Sequence, residues 1–237
     1  MKPPLNIRYH FLLKNGIYLD FNVRLDPSTL NQIDEPIDHP PDWAALAFHQ
    51  CPNCPLDPSS SPYCPVALNI IKLMEGCSSL VSYEKVYLEV TTPERTVSKE
   101  TTAQAGISSL LGLIAATSGC PHTGFFKPMA RFHLPFASEA ETVYRASSMY
   151  LLAQYFIRKQ GGEADLDMEG LVKIYGNLQI VNTALAARLR AASQQDATVN
   201  AVVRLDSFAK IVPYTIADSL DEIRHLFMSF LEQDENG

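Results

Sequence analysis

The start of the chain alternates. Ile7, Tyr9, Phe11 and Leu13 share one parity against Asn6, Arg8, His10 and Leu12. Ile17, Leu19, Phe21 and Val23 repeat the pattern against Tyr18, Asp20, Asn22 and Arg24. A period of two belongs to a strand with one buried face. Asn15-Gly16 between the two runs predicts a hairpin over residues 5–25. A two-residue loop would set His10 against Phe21 and divide the apolar set between faces. A three-residue loop, Lys14-Asn15-Gly16, pairs Leu13 with Ile17, Phe11 with Leu19, Tyr9 with Phe21 and Ile7 with Val23. Because register follows the buried face, the longer loop is expected, with Gly16 in the left-handed region. Tyr83–Thr92 alternates again through Val86, Leu88 and Val90. It is read as a third strand completing a small antiparallel sheet.

Elsewhere the spacing is helical. Pro65–Glu75 carries an apolar stripe at Val66, Ala67, Ile70, Ile71 and Met74, with Pro65 at the first helical position and Cys64 beside the N-cap. From about Ser98, the residues Ala103, Ile107, Leu110, Ile114 and Thr117 share a face that should end at Ser118-Gly119. Ser138-Glu-Ala-Glu141 is a capping box opening a helix to about Gln160, with Val143, Ala146, Tyr150, Ala153 and Ile157 inward. Asp167–Ala192 repeats apolar residues at Leu171, Ile174, Leu178, Val181 and Leu185. Val199–Ile211 is expected to be helical and to stop at Pro213. Thr215-Ile-Ala-Asp218 would then cap a last helix with Leu220, Ile223, Phe227 and Phe230 inward, before a frayed end at 232–237. The predicted fold is α+β, a single domain over 1–237, with a sheet and cysteine-loop portion at 1–95 and a helical portion at 96–232.

Two stretches fit neither period. Eight of the sixteen prolines fall between Pro36 and Pro65, so that segment is a stiff loop with room for one helical turn near Asp42–Phe48 and with Trp43 and Phe48 as tethers. Residues 118–137 form the second, and a loop of that length inside a domain is commonly functional. The cysteines gather in these two loops. Cys51, Cys54 and Cys64 lie in the first, each followed by proline, and Cys120 lies in the second within Ser118-Gly-Cys-Pro-His122. The C-x-x-C pair places two sulfurs on one side of a tight turn. Cys77, directly after the helix-ending Gly76, reads as a small buried residue.

These residues point to a metal or cluster site with Cys51, Cys54 and Cys64 as ligands, completed by Cys120 or by His122 in its place. Zinc is one candidate, and would be structural if four protein ligands close its shell. An iron–sulfur cluster is the other, and implies electron transfer or redox sensing. Pro55 removes a backbone donor that zinc knuckles use, and Cys-Pro pairs recur around iron–sulfur clusters. The third possibility is reduced thiols with no metal. A different class of reading is a thiol enzyme, with Cys64 or Cys120 as nucleophile and His122 or His133 as base. The dipole at the N-terminus of the helix after Cys64 would favour a thiolate there. A third class is a helical interaction module without chemistry. Arg131, His133, Glu141 and Arg145 could line a polar pocket, but structurally paired or solvated side chains are expected there.

Composition narrows the partners. The net charge is −7, and no face gathers Lys or Arg, which argues against nucleic acid. No apolar run is long enough to cross a bilayer, and Met1–Arg8 lacks the apolar core of a signal peptide. A cytoplasmic location is therefore expected, where thiols stay reduced. The strings Cys51-Pro-Asn-Cys54-Pro-Leu, Tyr63-Cys64-Pro-Val-Ala, Ser118-Gly-Cys120-Pro-His122 and Arg131-Phe-His133-Leu-Pro-Phe-Ala-Ser138 resemble those of a bacterial family of unknown function over most of the chain. The resemblance implies a bacterial cytoplasmic origin and brings no activity, cofactor or catalytic residue.

Overall fold

The computed structural model describes residues 2–33, 37–77, 80–192 and 196–232. Four antiparallel strands form one sheet in the order β2-β1-β3-β4: β1 Leu5–Leu13, β2 Tyr18–Leu25, β3 Lys85–Thr91 and β4 Thr96–Thr102. The hairpin register is the one the apolar pairing predicts, with Ile7 opposite Val23, Tyr9 opposite Phe21 and Phe11 opposite Leu19. Leu13 N–H donates to Ile17 O at 2.9 Å, and Gly16 takes φ of +81°. β3 joins β1 with Val86, Leu88 and Val90 buried. The fourth strand is a correction to the sequence reading, which opened the helical portion near Ser98. Its residues, Thr96-Val-Ser-Lys-Glu-Thr-Thr102, alternate too little apolar surface to announce a strand, because it is an edge exposed along most of its length. Charged and hydroxyl side chains suit such an edge.

The helix α3, Ala103–Thr117, lies against the apolar face of the sheet. Gly106 makes that approach possible, since a Cβ there would stand 2.6 Å from Phe11 Cε1 and 2.8 Å from Leu88 Cδ2. Ala103, Ile107, Leu110, Ile114 and Thr117 are buried as expected, and Gly119 ends the helix region at φ +91°. The predicted helix at 65–75 is two short pieces, α1 Pro65–Asn69 and α2 Ile71–Gly76, meeting at Ile70. Cys77 is fully buried in the core, as a small apolar residue. The loop at 118–137 contains a 3-10 turn at Gly124–Phe126 and a short helix, α4 Lys127–Arg131.

Three longer helices follow: α5 Glu139–Lys159, α6 Glu169–Ala192 and α7 Asp196–Ile223. The capping box at Ser138 and Glu141 forms in both directions. On α5, Val143, Ala146 and Tyr150 are buried, but Ala153 and Ile157 are exposed and Gln154 is buried instead. Gln154 accepts from Asp165 N–H, which explains an amide on the inner side. α7 continues through Pro213, so no stop or new cap occurs there. Proline removes one intrahelical bond and kinks a helix without having to end it. Phe227 and Phe230, expected inside, are exposed. A 3-10 turn at Arg224–Phe227 leads into α8, Met228–Leu231; the expected fraying falls largely on 233–237, outside the described residues.

The chain divides into two compact units, residues 1–136 with 177–207, and residues 137–176 with 208–237. The first contains the sheet, α1 to α4, the second half of α6 and the start of α7. Its core joins Tyr9, Phe11, Leu88, Leu110 and Leu111 to Leu185, Leu189 and Val202. In the second, Asp165 gathers the Tyr150 hydroxyl and the Gly170 N–H, which hold its carboxyl below the usual range.

Candidate cysteine centre

The site is built from three segments of the first unit. Residues 42–64 form a folded-back loop. A 3-10 turn at Asp42–Ala44 opens it, and Ala45 bridges Tyr63. Leu46 N–H donates to Pro62 O at 2.8 Å and Cys64 N–H to Ala44 O at 2.9 Å, so the ends of the loop are tied together. At its tip, Cys54 N–H donates to Cys51 O at 2.9 Å and closes the C-x-x-C turn. Cys64 is the N-cap of α1. The third segment is the turn after α3, where Cys120 O accepts from Gly124 N–H at 3.0 Å.

One cavity receives all of them. Cys51, Cys54, Cys64 and Cys120 line it together with His122, and Leu46, Leu56, Val66, Val181 and Leu185 supply apolar wall. None of the five cysteines is in a disulfide. The four that meet here are each followed by proline, and Cys77, followed by serine, stands apart. Every ligand candidate read from the sequence is therefore brought to one place. Among the described residues, however, no three His, Cys, Asp or Glu side chains are placed to hold a metal ion as they stand.

His122 bridges two of the segments. Its Nε2–H donates to Asn53 O at 2.6 Å, pinning the C-x-x-C turn to the Cys120 turn. That bond leaves Nδ1 as the ring atom able to accept or ligate. Asn53 also donates from Nδ2 to Asn177 Oδ1 at 3.0 Å, tying the turn to α6.

Burial sets the state of the thiols. Cys51 is pushed up to about 12, first by burial and then by the neighbouring sulfurs of Cys64, Cys120 and Cys54, with Arg188 acting the other way. Cys64 is also raised. Burial outweighs the Ala67 and Val66 N–H groups that point at its sulfur, which corrects the expectation of a thiolate there. The reason is that a helix of five residues supplies a weak dipole, and desolvation opposes any uncompensated charge.

The sequence reading missed Arg188. It is only 2% exposed. Nη1 donates to Trp43 O and to Ala45 O at 2.7 Å, and Nη2 to Leu46 O at 3.3 Å. The guanidinium stacks over Phe48 with 5.8 Å to the ring centroid. A signal existed, because Arg188 continues the stripe of Val181 and Leu185 and places a charge where a helix should be apolar. The other polar candidates have structural partners. Arg131 pairs with Glu94 at 3.0 Å, His133 bonds the buried Tyr9 hydroxyl, Glu141 closes its capping box, and Arg145 interacts with Tyr175 and Glu141.

No helix of the described residues is long and apolar enough to cross a membrane. No curated protein and no solved structure matches the chain. A model of the family described as a domain of unknown function, DUF6901, matches residues 7–228, and the chain belongs to that family.

Proposed function

We propose that the protein binds an iron–sulfur cluster through Cys51, Cys54, Cys64 and Cys120, and serves in electron transfer or redox sensing. The observation that carries this reading is that four cysteines from two loops far apart in sequence line one cavity, without a disulfide, and are walled by apolar side chains. The donor set is all sulfur, which suits zinc or a cluster. The cluster is preferred because all four cavity cysteines are followed by proline, a pairing that recurs around iron–sulfur clusters, and because the apolar wall is the water-poor surround that tunes a cluster's potential. Bound iron would supply one-electron chemistry. The chain's residues would hold the four corners, exclude water and fix the geometry through the His122 and Asn53 bonds.

The thiol-enzyme reading is weaker, because it needs a thiolate and burial raises Cys64, the better placed of its two candidate nucleophiles.

The test is purification without oxygen, followed by metal and sulfide analysis and a visible spectrum. The expected outcome is a coloured protein with a broad thiolate-to-iron band and matching iron and sulfide. Cys51→Ser and Cys120→Ser should each lose the colour, and Cys77→Ala should keep it. A colourless protein with zinc would replace the cluster by a structural ion. A protein without metal after reconstitution with iron and sulfide would remove the reading.

A further inference from the structure

We propose that Arg188 is the counter-charge of the cysteine centre, a positioning residue that makes the cavity accept a negatively charged occupant and raises the reduction potential of a bound cluster. This rests on the four-cysteine reading above. A buried guanidinium is expensive unless an anion faces it. The carbonyls of Trp43, Ala45 and Leu46 solvate Arg188 but bring no net charge. Among the described residues, the ion pairs formed do not include it. Arg188 lines the same cavity as Cys51, Cys54, Cys64 and Cys120. Without an anion in that cavity the cation is uncompensated. Four thiolates around a dication or a cluster leave a net negative charge, which is the partner Arg188 lacks.

The geometry gives it a second duty. Two hydrogens of Nη1 and one of Nη2 are spent on the loop carbonyls, so the Nε hydrogen and one on Nη2 are left for other acceptors. The same side chain thus fixes the loop that carries Cys51 and Cys54 and presents positive charge to their sulfurs. Asn177, Val181, Leu185 and Arg188 recur at steps of four, four and three, so one face of α6 delivers the loop contact, the apolar wall and the charge together.

Charge and scaffold can be separated by two full-chain variants. Arg188→Lys keeps the charge and loses the planar fork, and Arg188→Gln keeps some hydrogen bonding and loses the charge. Each is titrated with cobalt(II) as a spectroscopic probe of the thiolates, and each is reconstituted with iron and sulfide for potentiometry. The Gln variant should bind cobalt about 10–100-fold more weakly than the parent and, once loaded, show a more negative potential. The Lys variant should recover most of the affinity and the potential while melting below the parent. Equal losses in both variants, or a Gln variant with parental affinity and potential, would overturn the proposal and leave the cysteine centre standing. If the Gln variant does not fold, the Lys variant decides, since a cobalt affinity more than about tenfold below the parent contradicts a role in charge. If the parent itself takes up neither cobalt nor cluster, the centre fails and this inference falls with it.

Discussion

Single positions carry much of the architecture. Gly106 lets α3 approach the sheet closely, with Phe11 and Leu88 where its side chain would be. Gly106→Ala should therefore cost about 1–3 kcal/mol by overpacking, read as a lowered urea midpoint with an unchanged slope. No loss would mean that α3 shifts freely on the sheet. Most of the site was legible at this scale because the chemistry of cysteine marks itself. Cys51, Cys54, Cys64, Cys120 and His122 do meet at one cavity. Arg188 was harder to see, since its meaning depends on which loop folds over α6, and nothing local to residues 185–192 states that. The state of Cys64 was misjudged for a related reason. The capping position is local and readable, whereas desolvation comes from the whole surround.

Elements announce themselves when both a pattern and a boundary residue are present. The hairpin has alternation and Asn15-Gly16, and its register follows. α5 has a capping box and then Gly161 at φ +86°. Ser138→Ala should remove the bond accepted from Glu141 N–H and lower stability by about 1 kcal/mol, measured by thermal or urea unfolding. A neutral result would place the helix start under other control. β4 was missed because an exposed edge strand carries no apolar period, and α7 was cut short in the reading because Pro213 is a local signal that a long helix overrode. The inner faces of α5 and the C-terminal helix were also only partly read, since exposed Ile157, Phe227 and Phe230 have the same spacing as buried residues.

At the scale of the whole molecule, the titrating groups bracket the range in which the fold is stable. Asp20 is held low by His10 and Arg8, Asp26 by Thr29 and Ser28, Asp57 by Ser59, Glu94 by Arg131, and Asp165 by Gly170 and Tyr150. A depressed carboxyl contributes stability above its unfolded pKa and loses it as pH falls through the folded one, so melting temperature should decline below about pH 4. Tyr9, Tyr175 and Cys77 are raised by burial, Cys77 to about 12. Their contribution is complete below the unfolded pKa and is lost as pH rises, so a second decline should begin above about pH 8.5–10. Calorimetry across the range should show a plateau between these limits. A melting temperature that keeps climbing into alkali, or holds flat far into acid, would contradict this assignment.

The wall of the cavity supplied by α6 has a consequence in time. All four thiols have been synthesised once the chain reaches Cys120, but Val181, Leu185 and Arg188 emerge much later. Because folding on the ribosome proceeds from the N-terminal side, the thiols stand open to delivery before the last wall exists. On the proposed cluster reading, the order of translation leaves a loading window that shuts when α6 arrives, and an occupant acquired early would be enclosed by the completion of the chain.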